Sequence, residues 1–350
     1  PLDDGALLRL AEHIGDQLTG AGRLQPLLDD PQVSDVVVNG ADGVWVDRGH
    51  GLTRSEIVFR DAAEVRALAT RLANTCGRRL DDAHPCVDAR LPDGTRFHAM
   101  LPPAAVNGPH VSFRAHRPQV FDLNGLHAAG SLPGNSAAVV SAIVTTRVPF
   151  LVTGGAGSGK STMLAALLGA VAPHERVIIV EDATELAPRH PHVVSLQARN
   201  ANVEGVGEIG LRQLVRQALR MRPDRIVIGE CRGAEVVELL AALNTGHDGG
   251  AGTLHANTAS DVPSRLAALA LPHGLPRDGL HALIASALRV VIHMRRDGTR
   301  RFVAEIALLN ATDAERITVT PAWRFDTGAG PAFSALRRLL RGRMSSEASR

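Results

Sequence analysis

Between Phe150 and Val171 the chain reads FLVTGGAGSGKSTMLAALLGAV, an apolar β-branched run, then a loop rich in glycine, then a stretch with helical composition. Gly154, Gly159, Lys160 and Ser161 fall at the offsets of the phosphate-loop pattern. Glycines let backbone N–H groups converge on an anion without side chains in the way, and the helix that follows points its positive end at the same spot. The segment therefore reads as a strand, a phosphate cradle and a helix. Gly155, Ala156, Gly157, Ser158, Gly159, Lys160, Ser161 and Thr162 are the candidate nucleotide contacts. Lys160 is placed to bridge the β- and γ-phosphates of ATP, Ser161 to offer a hydroxyl to Mg²⁺, and Thr162 to reach the α- or β-phosphate.

Composition sharpens this reading at one residue. Of 38 basic side chains, the only lysine is Lys160; all the others are arginine. A compact ammonium on a flexible stem cannot be exchanged for a planar guanidinium in a narrow phosphate loop. Elsewhere composition mainly excludes. With 45% hydrophobic and 21% charged residues over 350 positions the chain can bury a sizeable core, and about two domains are expected. Apolar runs such as Ala137–Val144 stop well short of the roughly 20 residues a membrane-spanning helix needs. No export signal opens the sequence, so a cytoplasmic protein is expected. Cys76, Cys86 and Cys231 show no paired spacing for zinc or a redox centre. Aromatic residues are 3% of the chain, with no tyrosine, which leaves little for stacking single-stranded bases and argues against nucleic acid.

Along the chain, residues 3–19 read as an amphipathic helix. From Val33 onwards VSDVVVNG and GVWVDRG alternate as strands do, followed by a helix from Asp61 to about Cys76, then VDARLPDGTRFHAMLPP and VSFRAH as further strands. Residues 1–117 are thus expected to form a small mixed α/β domain. Residues 118–133 turn to Pro, Gly, Asn and Asp and read as a linker or hinge. From 134 to 330, β-branched runs alternate with helical patterns, which predicts an α/β domain with a mainly parallel sheet and an antiparallel extension at its end. Residues 331–350 read as a basic tail, either a solvated terminus or a basic helix lying on a membrane surface.

A phosphate loop needs further groups to position water and metal. RIVIGE delivers Glu230 at a strand's carboxyl end, where open α/β sheets bind ligands. Gly229 stands where a metal-holding Asp would be usual, so Glu230 reads as the water-positioning base. RVIIVEDATEL delivers Glu181, Asp182 and Glu185 in the same way, although acids also end strands for solvation alone. TGHDGGAGTLHANTA places His247 and His255 around a glycine stretch; a histidine there could sense a γ-phosphate, and metal binding lacks a third ligand.

Taken in order, GGAGSGKST, VIIVEDATEL, RPDRIVIGECRGAE and TGHDGGAGTLHAN, with NGADGVWVDRG and VDARLPDGTRFHAMLPP before them, resemble the ATPases of type II and type IV secretion systems, in particular the CpaF-like branch of tight-adherence pilus assembly. The resemblance covers most of the chain. It implies a RecA-like rear domain, a homohexameric ring, ATP with Mg²⁺, and a motor for pilus assembly or secretion. It further implies inner-membrane platform proteins as partners and a place on the cytoplasmic face of that membrane. By the same resemblance Glu230 is the catalytic glutamate, Glu185 the Asp-box acid and His255 the His-box residue. Arg96 and Arg114 match its phosphate-contacting arginines, with Arg90 and Arg117 as neighbours. The four-cysteine zinc insertion of many relatives is missing, so no structural zinc is expected. The alternative is a nucleic-acid translocase of a conjugation or DNA-uptake system.

Overall fold

The computed structural model describes residues 20–115, 121–199, 206–311 and 317–347; the helix expected at 3–19 lies outside them. The chain divides into two compact units, Pro1–Arg117 with Asn202–Val206, and Pro118–Ala201 with Gly207–Arg350.

In the front unit a short helix α1 (Gln25–Asp29) precedes β1 (Asp35–Asn39), β2 (Gly43–Asp47) and β3 (Leu52–Arg54). Helix α2 (Ala62–Thr75) follows, then β4 (Cys86–Arg90), β5 (Arg96–Met100) and β6 (His110–Arg114). The strands form one sheet in the order β3-β2-β1-β6-β5-β4, every neighbouring pair antiparallel. Alternation buries Val36 and Val38 of β1, Phe97 and Ala99 of β5, and Val111 and Phe113 of β6. The Phe97 and Phe113 rings meet at 5.5 Å between centroids. Helix α2 starts where the Asp61 carboxylate accepts the Glu64 N–H and the Glu64 carboxylate accepts the Arg60 N–H. From that start Val65, Leu68, Ala69 and Leu72 recur at helical spacing into the same core.

The rear unit opens with α3 (Leu123–Ala128), α4 (Ser136–Thr145), β7 (Phe150–Gly154) and α5 (Lys160–Gly169). It continues through β8 (Val177–Glu181), β9 (Val193–Gln197), α6 (Leu211–Ala218), β10 (Arg225–Cys231), α7 (Glu235–Asn244) and β11 (Ala251–His255). Helices α8 (Val262–Ala270) and α9 (Arg277–Ala287) lead to β12 (Val290–Asp297), β13 (Arg300–Ala311), β14 (Ile317–Arg324), β15 (Gly328–Ala329) and α10 (Phe333–Glu347). The nine-stranded sheet runs β15-β14-β13-β12-β7-β11-β10-β8-β9. From β12 to β9 all neighbours are parallel, and β13, β14 and β15 extend the sheet antiparallel. Near-continuous apolar strands are what burial on both faces demands. Phe150, Val152, Val177 and Ile179 pack with α4, α5 and α10 on one face; Leu151, Ile178, Val180 and Ile226 pack with α6 to α9 on the other.

Two expectations are corrected here. Within the stretch read as a linker, α3 is capped by Asp122, which accepts the Gly125 N–H, and both Leu126 and Leu132 are buried in the rear unit's core. A six-residue helix is too short to show periodicity. The tail read from 331 onwards is mostly the helix α10, whose Leu336 and Leu340 are buried in that same core, while Arg343 donates to the Arg147 carbonyl and pairs with Asp248 at 3.0 Å.

Candidate functional site

Because β7, β11, β10 and β8 run parallel and lie side by side, their carboxyl ends share one edge of the sheet. There β7 delivers the phosphate loop. Gly154 has φ 150°, and a Cβ on it would lie 2.4 Å from the Met294 carbonyl oxygen. Gly159 takes the left-handed conformation, φ 91°, and leads directly into α5. Lys160, at 8% exposure, donates from Nζ to the Gly155 carbonyl at 2.9 Å, holding the loop as a closed ring. Burial pulls its ammonium below the usual lysine range, and the carboxylates of Glu230 and Glu185 pull it back up.

Three other strands supply the chemistry. His255 is the last residue of β11; its Nε2 lies 2.8 Å from Glu230 Oε1 and 3.4 Å from Lys160 Nζ. Carrying a proton, that nitrogen donates to Glu230; without one it can accept from Lys160. Burial, and then the Lys160 charge, lower the His255 pKa, so the ring is neutral at pH 7. Glu230, near the end of β10, is also held by Arg232 Nη2 at 2.5 Å, and Arg232 reaches Asp182 at 3.7 Å. Beyond β8, Glu185 Oε2 accepts from the Ser161 hydroxyl at 3.4 Å. A hydroxyl and a carboxylate converging in this way are hard oxygen donors of the kind Mg²⁺ takes beside phosphate, so the residues fit that ion.

The position of Glu185 rests on a latch. Glu181, buried at the end of β8, accepts through Oε1 the N–H groups of Glu185 at 3.0 Å and Leu186 at 3.1 Å. Its side chain lies across Gly229, where a Cβ would come within 2.5 Å of Glu181 Cγ. That contact accounts for glycine at the position where a metal-holding Asp would be usual: a neighbouring strand's acid fills the space.

Residues 17–316 match the family described as Type II/IV secretion system protein. The chain belongs to that family. It is a P-loop ATPase of type II/IV secretion systems. A Mycobacterium tuberculosis (strain H37Rv) protein whose name assigns it to conjugal transfer is 54% identical over 98% of this chain and 99% of its own length. The conjugal transfer protein TrbB of Rhizobium radiobacter is 30% identical, covering 85% of this chain and 88% of TrbB. The Yersinia pseudotuberculosis ATPase DotB shares the fold, with a TM-score of 0.59 and 16% identity over 84% of this chain and 80% of that one.

In this secretion ATPase the structure gathers Lys160, Ser161, Glu185, Glu230 and His255 at one edge, with Gly155, Ala156, Gly157, Ser158 and Gly159 forming the loop and Thr162 in the first turn of α5. It does not bring His247 there. That histidine precedes β11 at the opposite edge of the sheet, with Nδ1 3.2 Å from the Ala242 carbonyl at the end of α7. Arg96 and Arg114 belong to the front unit, directly opposite each other on β5 and β6, with Arg90 opposite Arg96 on β4.

Sequence reasoning missed Arg232, whose only signal was its place two residues after Glu230. It also missed two arginines on the β12–β13 hairpin. Arg301 donates from Nε to the Gly157 carbonyl at 2.9 Å, and a methyl at Gly157 would lie 3.2 Å from Arg296 Nη1. No motif marks them, because only the pairing of β12 with β7 carries the hairpin to the loop.

Proposed function

We propose that this ATPase is a ring-forming motor, a homohexamer docked on inner-membrane platform proteins at the cytoplasmic face, that powers pilus assembly or protein secretion in the manner of the CpaF-like branch. The observation that carries the proposal is the grouping of Lys160, Glu185, Glu230 and His255 around one phosphate loop. Lys160 neutralises the β- and γ-phosphates, Glu230 orients the attacking water, and His255, neutral and in contact with Glu230, senses the γ-phosphate. Ser161 and Glu185 would hold Mg²⁺, which when bound supplies charge neutralisation on the phosphates. Arg96 and Arg114, opposite each other on neighbouring strands, are the front unit's contribution to phosphate binding on this reading.

The test is Glu230→Gln. The variant keeps ATP affinity within about threefold while turnover falls about a hundredfold or more, as for loss of a positioned base. Unchanged turnover would remove Glu230 from the mechanism. Light scattering with Mg²⁺ and ATP measures the ring, and a monomer under every condition would sink the motor.

A nucleic-acid translocase is the second reading, favoured by the conjugal transfer names of the relatives at 54% and 30% identity. Its signature would be ATPase activity stimulated by single-stranded DNA at low salt and lost steeply as salt rises.

A further inference from the structure

The phosphate loop has two flanks, set by strand order. On one side of β7 lie β11, β10 and β8, with His255, Glu230 and Glu185; on the other lies the β12–β13 hairpin. This second flank brings two arginines to the loop. Arg296 and Arg301 stand directly opposite each other in the antiparallel pair. Both side chains lie at the loop. The Arg301 Nε bond to the Gly157 carbonyl fixes one, and the Arg301 aliphatic stem packs so close over Gly159 that a Cβ there would lie 3.3 Å from its Cδ. Arg296 is set by its Nε bond to the Gly298 carbonyl in the hairpin turn, which leaves Nη1 beside Gly157.

The fold thus brings two guanidinium groups to the N-terminal end of α5, where unsatisfied N–H groups already carry positive charge and Lys160 adds more. The acids that offset Lys160 belong to the other flank. Guanidinium groups set beside a phosphate cradle offer charge-assisted hydrogen bonds to a polyanion held there. Resting on the ATPase reading, the direction of the nucleotide follows. Its terminal phosphate must lie toward Glu230 and His255, where water is activated, so the triphosphate leaves the loop on the hairpin side.

We infer that Arg301, together with Arg296, forms a second phosphate-binding element that grips the α-phosphate end of the nucleotide. The element acts on affinity. ATP and ADP share the contacted phosphate, so both gain equally and turnover of bound ATP is untouched. The base is not the contact, and inorganic tripolyphosphate is therefore gripped as well.

The experiment measures binding by calorimetry and turnover for the full chain and its Arg301→Gln, Arg301→Lys and Arg296→Gln variants, with ATP, ADP and tripolyphosphate as ligands. Arg301→Gln should weaken all three by about tenfold, the effect of losing a charge-assisted contact, with KM raised in step and kcat within about threefold. Arg296→Gln should do the same more weakly, and Arg301→Lys should recover part of the affinity. Weakened ATP and ADP with unchanged tripolyphosphate would overturn the assignment in favour of base stacking. Unchanged affinities with a lower kcat, or a variant indistinguishable from wild type, would also overturn it. Failure of the wild-type chain to bind ATP at all would instead strike the ATPase reading.

Discussion

The two flanks of the phosphate loop are built on opposite plans. The β11-β10-β8 flank presents acids and a histidine at the ends of parallel strands, each set by the sheet edge it terminates. The β12–β13 flank presents arginines from within an antiparallel hairpin, and they arrive at the loop through strand pairing. On the proposed reading, the difference separates two tasks. Groups that must act on the terminal phosphate sit where strands converge and neutral or anionic side chains can order water. Groups that only hold the nucleotide can be borrowed from a later extension of the sheet. Changes on the first flank should therefore read out in kcat, and changes on the second in affinity.

Lys160 belongs to both flanks, so it offers the largest effect. Lys160→Ala removes the ammonium that closes the loop on the Gly155 carbonyl and lies 3.4 Å from His255. Loss of a buried charge facing phosphate should lower ATP affinity by about a hundredfold and abolish measurable turnover. Fluorescence titration with a labelled ATP analogue checks this. A variant that still binds as wild type would mean that the backbone cradle and the hairpin arginines suffice alone, and the division between the flanks would lose its centre.

A subtler break is available at Gly229, which touches only the first flank. An alanine methyl there would lie 2.5 Å from Glu181 Cγ and 2.9 Å from its Oε1. Glu181 must then shift, releasing the N–H groups of Glu185 and Leu186. We expect Gly229→Ala to cost about 1–3 kcal/mol in stability, as for an overpacked interior. The kcat should fall about tenfold as Glu185 loses its position, with ADP affinity within about threefold. Thermal unfolding and steady-state kinetics measure the two effects. If ADP affinity falls as far as kcat, the latch serves binding as well and the flanks are not separable.

How much of this was legible beforehand follows the same division. The loop and Glu230 could be read because each sits within a few residues of an apolar strand, and strand ends at a parallel edge are a local signal; Glu185 and His255 were singled out from their neighbours by the family resemblance. The strand-helix alternation likewise announced the rear sheet. Arg296 and Arg301 could not be read, because an arginine in VVIHMRR or RRFVAE looks like surface charge until β12 is known to pair with β7. The latch was hidden for a related reason: a glycine before Glu230 looks like a missing acid until the neighbouring strand shows Glu181 lying over it. Helix α3 was missed because it is too short to show a period, and the packing of α10 into the core because its apolar residues stand among arginines that mask them.

The smallest expected effect concerns the residue that joins the flanks. His293 of β12 is buried; its Nδ1 lies 2.9 Å from the Thr153 hydroxyl of β7, and it hydrogen-bonds the backbone of Asn257, two residues past His255. Burial, the dominant influence, lowers its pKa, with Arg295 acting in the same direction and Glu305, the Asn257 backbone and Asp261 opposing. The folded protein thus holds the imidazole neutral, while the unfolded chain takes up a proton near pH 6.5. Above that pH both states are neutral and this contribution to stability is complete. As pH falls below about 6.5 the unfolded state binds the proton first, and stability declines. His293→Gln keeps hydrogen-bonding capacity and removes the titration, so melting temperature followed from pH 8 to pH 5 should fall less for the variant than for the wild type. His255, also lowered, contributes to the slope that remains. Identical slopes would mean that His293 is not the titrating link, and the flanks would then be joined by backbone pairing alone.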